Sequence, residues 1–188
     1  MSEQELIERL LKNDPVAFKQ LIDEQKGRAF NTSLGILQNS AEAEDITQEV
    51  FIEVFESLKN FKGDSKLSTW IYRITITKSL EAIRRRKRKK RFGYITRLFQ
   101  NESNTPEVLV PDFVHPGVLL ENKEKATLLF KAIDSLPENQ KIAFTLHKIE
   151  DMSYEEIAET MQVSLSAVES LIHRAKINLR KKLVSLMP

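Results

Sequence analysis

Apolar residues recur at helical spacing along most of this chain, and nowhere do they fall into the strand-like alternation of period two. With only 5 glycines and 6 prolines in 188 residues, little interrupts those helices, and the expected class is all-α. Asp14-Pro15 supplies an N-cap and a first-turn proline. Val16, Phe18, Leu21 and Ile22, then Phe30, Leu34 and Ile36, suit one or two helices after it. Ala41 to Leu58 is the clearest amphipathic segment, with Ile46, Val50, Phe51, Val54, Phe55 and Leu58 forming one apolar stripe. Asn60 to Leu67 reads as a loop, and Ser68 is placed to cap a helix reaching Arg91. Such a helix would be roughly 36 Å long, comparable with the ~34 Å of one duplex DNA turn.

The character changes between Asn101 and Gly117, where Pro106, Pro111, Pro116 and Gly117 fall in a stretch with little periodicity. Its apolar Val108, Leu109, Val110 and Phe113 point to docking for part of the time. Four further helices are expected at Leu120–Ser135, Glu138–Ile149, Tyr154–Met161 and Leu165–Leu183. The expected architecture is two small helical domains, 1–95 and 120–188, joined by a flexible linker at 96–119.

Net charge is only +2, but the average hides a dipolar layout. Acidic residues gather in Glu42 to Glu56, and Arg84 to Arg91 is an unbroken basic run. The chain contains no cysteine, which excludes disulfides, zinc ribbons and thiol catalysis within it. Three scattered histidines, His115, His147 and His173, make no site, and no metal or cofactor is expected. The acidic start Met1-Ser2-Glu3-Gln4-Glu5 lacks an apolar signal core, and no run approaches a membrane span. The expectation is a cytoplasmic protein without membrane insertion.

Two stretches point to nucleic acid. Phe61-Lys62-Gly63-Asp64-Ser65-Lys66-Leu67-Ser68-Thr69-Trp70-Ile71-Tyr72-Arg73-Ile74 leads from a loop into a helix with aromatics at its start and cations at its end. Aromatics stack on exposed bases, and clustered cations hold phosphates. The plainer reading makes Trp70 and Tyr72 core residues and the basic run a solvated face. Later, Ser153-Tyr154-Glu155-Glu156 fits a capping box. A short helix, the turn Gln162-Val163 and a second helix capped by Ser164 follow. Leu165, Val168, Leu171, Ile172, Ala175 and Leu179 line one face of that second helix. Ser166, Ala167, Glu169, Ser170, His173, Arg174 and Lys176 line the other, as in a helix-turn-helix whose second helix enters a major groove. Glu169 is either an acceptor for cytosine or part of a second capping box with Ser166.

These motifs together resemble the extracytoplasmic-function (ECF) group of bacterial RNA polymerase sigma factors, within the sigma-70 family. Ala43-Glu44-Asp45-Ile46-Thr47-Gln48-Glu49-Val50-Phe51 resembles the polymerase-binding helix of region 2, and Phe61 to Ile74 its promoter-melting segment. Leu136-Pro137-Glu138-Asn139-Gln140-Lys141, Ser153 to Ala158, and Val168 to Ala175 resemble region 4.

The resemblance implies that Asp45, Gln48 and Glu49 grip the clamp coiled coil of the polymerase β′ subunit. Glu53 extends an i, i+4 acidic row with Asp45 and Glu49, and Ile52 is expected to be exposed beside it. The resemblance further implies capture of a flipped −10 base by the loop Lys62–Ser68, including Ser65 and Lys66, with Thr69 and Tyr72 in the segment beyond. Arg73, Thr77, Glu81 and Arg84 share a helical row facing that strand, with Arg85 beside it. Ser164 to Lys176 would read the −35 element as duplex. Thr77, Glu81 and Glu169 depart from the residues common in the family, so base preference is not carried over. The implied function is promoter-specific initiation by a non-enzymatic subunit. The implied partners are core polymerase (β′ clamp coiled coil and β flap), promoter DNA and an anti-sigma factor. The alternative is a stand-alone dimeric helix-turn-helix regulator of duplex DNA, which leaves the Phe61–Trp70 loop and the acidic helix without a role.

Overall fold

A computed structural model describes residues 2–100 and 123–186, with side chains described for 2–91 and 128–185. The expected tether, Asn101 to Gly117, lies outside the described residues. Among them there are eight α-helices, one 3₁₀ turn and no strand. The amino-terminal half comprises α1 (Glu3–Leu11), α2 (Pro15–Leu37), α3 (Ser40–Ser57), the 3₁₀ turn Leu58–Asn60, and α4 (Leu67–Gln100). The carboxy-terminal half comprises α5 (Lys123–Asp134), α6 (Glu138–Lys148), α7 (Tyr154–Met161) and α8 (Leu165–Leu186).

Helix boundaries follow from local chemistry. Asp14 Oδ1 accepts from the Val16 amide at 2.9 Å, capping α2, while Oδ2 pairs with Arg9 at 2.7 Å. The Arg9 hydrogen bond, then the Val16 amide, hold this carboxyl below its ordinary value. Apolar residues from Val16 to Ile36 belong to one helix rather than two. It ends where Gln38 turns left-handed (φ 56°), and Asn39 caps α3 by accepting from the Glu42 amide at 2.8 Å.

The start of α4 differs from expectation. The helix begins at Leu67, so Ser68 lies inside it, and the Leu67 amide donates to the Glu3 carboxylate on α1. A side chain from another helix replaces the expected serine cap. The helix also continues past Arg91 to Gln100, 34 residues in all, or roughly 51 Å.

Packing follows the apolar stripes. Leu21 and Ile36 of α2 meet Ile46, Val50 and Val54 of α3 and Ile71 of α4, all buried, with Leu6 and Leu10 of α1 against them. Phe55 departs from the expected stripe, since 55% of it is exposed. In the second half, Ile142, Leu146, Ile157, Val168 and Ile172 form the core, and Ala132 and Ile133 of α5, with Leu136 in the turn after it, pack against Ala175 and Leu179 of α8.

The two cores are continuous. Helix α6 packs on α2, and α7 on α4. Gly35 of α2 sits so close to α6 that a Cβ there would lie 2.5 Å from Thr145 Cγ2 and 2.9 Å from its Oγ1. Leu21 is among the largest fully buried side chains; Leu21→Ala is expected to cost ~2–5 kcal/mol, read by denaturant unfolding.

Candidate nucleic-acid and partner interfaces

The helix-turn-helix assembles from short-range bonds. The Glu156 amide donates to Ser153 Oγ at 3.2 Å, and the Ser153 amide to Glu156 Oε2 at 2.9 Å, completing the capping box. Gln162 turns left-handed (φ 56°) and ends α7, and Ser164 Oγ accepts from the Ala167 amide at 3.2 Å to start α8. Ile157, Val168 and Ile172 lock α7 to α8. Ser153→Ala is expected to lower stability by ~1 kcal/mol, seen as a lower melting temperature with the outward residues of α8 untouched.

That packing aims Ser166, Glu169, Ser170, His173, Arg174 and Lys176 outward, all exposed, with Ala167 half-buried. Glu169, Ser170, His173 and Lys176 line one concavity with Tyr154 and Ile172. Ser166 is the second residue of α8, and Ser164 is its cap. The capping-box alternative for Glu169 therefore fails, leaving its carboxylate on the outward face. The Arg174 Nε–H donates to Ser170 O at 3.1 Å, which folds the guanidinium back along the helix.

On α4 the sequence-predicted residues divide. Lys62 and Lys66 are exposed in a loop turned by Gly63 at φ 76°, a conformation that suits glycine. Phe61 and Trp70 pack with ring centroids 5.2 Å apart, tilted by 46°. Ser65 and Ser68 are half-buried and Thr69 is buried. Tyr72 is 5% exposed, and its hydroxyl donates to Glu150 Oε2 at 2.6 Å, on the segment between α6 and α7. Burial, then this bond, pushes the phenol upward. Burial also raises the Glu150 carboxyl, opposed by the Tyr72 bond and the Arg28 charge. The Arg73 guanidinium donates to Glu159 O at 2.8 Å. Thr77 is exposed, although its hydroxyl donates to Arg73 O at 2.8 Å. Beyond it, Arg84 and Arg85 join Lys87, Arg88 and Arg91 around an open cationic concavity that includes Glu81.

On α3, Asp45 and Gln48 are exposed, but the expected acidic row is not free. Glu49 lies 3.5 Å from Arg85 and Glu53 3.1 Å from Lys78, so α4 cations neutralise most of it. What stands open is apolar. Ile52 is 58% and Phe55 55% exposed, and with Phe18, Ile22 and Phe51 they line a groove of about 420 Å³. Phe18 meets Phe55 edge-on at 5.2 Å. Sequence reasoning missed Phe18 and Ile22, and placed Phe55 in the core. The available signal was the arc Phe51, Ile52, Phe55, too wide for one core-facing stripe.

Among the described residues no group of His, Asp or Glu could hold a metal, and no helix is long and apolar enough to cross a membrane.

With this geometry established, similarity to known proteins places the chain. Residues 21–89 match the family described as Sigma-70 region 2, and residues 127–179 match Sigma-70, region 4. The RNA polymerase sigma-H factor of Pseudomonas aeruginosa is 31% identical over 98% of this chain and 95% of its own length. The ECF RNA polymerase sigma-E factor of Escherichia coli is 29% identical over 94% of this chain and 91% of its own. The fold is shared with two solved structures. CnrH in complex with the cytosolic domain of CnrY superimposes with a TM-score of 0.69 at 18% identity, covering 97% of each chain. The sigma factor RpoE in complex with the anti-sigma factor NepR from Bartonella quintana gives 0.67 at 20% identity, covering 88% of this chain and 96% of its own. Two sigma regions in order, on one chain related over nearly its whole length to sigma factors, mean that this protein belongs to the ECF group of the sigma-70 family and directs promoter-specific transcription initiation.

Proposed function

We propose that the chain acts as a non-enzymatic promoter-specificity subunit in the cytoplasm, with domain 1–95 and domain 120–188 making separate DNA contacts across the tether 96–119. The apolar groove at Ile52 and Phe55, with Asp45 and Gln48 beside it, docks the β′ clamp coiled coil of core polymerase, and the second domain meets the β flap. Lys62, Lys66, Thr77, Arg84 and Arg85 approach the −10 strand. Ser166, Glu169, Ser170, His173, Arg174 and Lys176 approach the −35 duplex. Tethering makes the second contact effectively intramolecular, so two weak readers combine into useful specificity. An anti-sigma factor is the expected regulator, competing for the same groove.

The observation that carries this reading is the pairing of an outward helix-turn-helix face with a separate cationic face on α4. A lone dimeric regulator has no use for the second cationic face. The test mixes purified chain with core bacterial RNA polymerase and a genomic fragment library. Defined start sites preceded by a shared two-part motif are expected. Binding to a palindromic duplex with no polymerase association would overturn the reading.

A further inference from the structure

The loop after Phe61, which carries Lys62 and Lys66 toward the −10 strand in the reading above, has few bonds of its own. Among the described residues, Lys62, Gly63, Asp64 and Ser65 make no hydrogen bond. Its course therefore depends on what holds its two ends. At the leading end the Phe61 amide donates to Leu58 O at 2.9 Å, and the Phe61 ring packs on Trp70. At the trailing end the first turn of α4 presents amides that no earlier turn can satisfy. Lys66, just before it, offers no side-chain acceptor. The Glu3 carboxylate takes that role from α1 by accepting from the Leu67 amide.

Glu3 is itself firmly placed. Ser2 Oγ caps α1 by accepting from the Glu5 amide at 3.2 Å, Leu6 and Leu10 are buried, and Arg9 pairs with Asp14 at 2.7 Å. Apolar contact alone does not close the junction. A cleft of about 220 Å³ remains between α1, α2 and the start of α4, lined by Glu3, Leu6, Leu21, Gln25, Leu67 and Ser68. Leu67 is thus held twice, by its buried side chain and by its amide. Trp70 lies in the same turn and carries the Phe61 ring, so a shift of that turn moves both ends of the loop.

We propose that Glu3 is a positioning residue for −10 base capture: without touching DNA, it fixes where the loop after Phe61 enters α4. The inference rests on the sigma-factor reading of that loop. A carboxylate suits the place, since it accepts from an orphan amide at the positive end of a 34-residue helix. The hydrogen bond, more than the charge, sets the direction of the chain, because only the bond constrains where the Leu67 amide points.

The test assembles the full-length chain with core bacterial RNA polymerase as wild type, Glu3→Ala and Glu3→Gln. Affinity is measured for a fluorescein-labelled single strand carrying the −10 element defined by the start-site experiment above. The strand is used intact and with an abasic site stepped through it one position at a time. In wild type, an abasic site at the captured position is expected to weaken binding about tenfold or more, since one base loses its stacking and edge contacts. Glu3→Ala should cut that penalty to about threefold or less, with core-polymerase affinity unchanged. Glu3→Gln should retain it, because its amide oxygen still accepts from Leu67. Glu3 is exposed, so helical circular dichroism is expected to match wild type in both variants. A merely structural loss lowers the active fraction for every strand alike and leaves the ratio of intact to abasic affinity unmoved. A full abasic penalty in Glu3→Ala would therefore overturn the positioning role, and loss of the penalty in Glu3→Gln would overturn the role of the bond. No sensitive position in wild type would overturn base capture by this loop and the inference with it, whereas sensitivity in wild type and in Glu3→Ala alike strikes the inference alone.

Discussion

Ile52→Asp with Phe55→Asp is expected to weaken association with core RNA polymerase by a hundredfold or more while leaving the fold intact. Both side chains are more than half exposed, so neither contributes much to the core. In a docked complex each would become an apolar anchor, worth roughly 2 kcal/mol at such a site, and two together correspond to about a thousandfold in affinity. A buried unpaired carboxylate adds a further penalty. Titration of labelled core polymerase, with thermal melts as the control, measures both sides of this expectation. Affinity within threefold of wild type would move the docking surface off this groove. Asp45→Lys is the cleaner charge test, because Asp45 forms no ion pair among the described residues. Reversing Glu49 would also strip Arg85 of its partner at 3.5 Å.

The second large effect is expected on the opposite half of the molecule. Ser170→Ala with Arg174→Ala should reduce transcription from −35-dependent promoters by about thirtyfold or more, at ~1–3 kcal/mol for each of the two lost base or phosphate contacts. Polymerase binding should not change. Both residues are exposed on α8, opposite Val168 and Ile172, so the expected change in stability is within about 0.5 kcal/mol. Run-off transcription on a promoter with and without its upstream element separates the effects. Equal loss on both templates would mean that α8 does not read the −35 element. Glu169→Ala on the same templates reports whether its outward carboxylate selects a base or excludes one.

Much of this molecule was legible because the information lies within a few residues. The Asp14 cap, the capping box at Ser153 and Glu156, and the Ser164 cap are each set by a side chain reaching two or three positions along the chain. Short reach also explains the accuracy of the α7 boundaries and of the start of α8, which then runs to Leu186, three residues past the expected end, and with them the outward face of the helix-turn-helix. Ser68 failed as a cap for the opposite reason. Its place was taken by Glu3, 64 residues away, which no local pattern announces.

Helical class, element order and the outward residues of α8 followed from spacing, because periodicity decides which side of a helix is apolar. Spacing cannot say whether an apolar residue is covered. Phe55 belongs to the same stripe as Phe51 and Leu58 by period, both buried, yet it lies open because helix packing leaves a groove there instead of a neighbour. Nor can it say which charges meet. The acidic row of α3 was correctly placed on one face, but only the packing of α4 beside it assigned Glu49 to Arg85 and Glu53 to Lys78. The state of Tyr72 was decided last and from farthest away, by a carboxylate 78 residues along the chain. Local sequence sets what each helix offers; contacts between helices distant in sequence set which of those offers remain exposed.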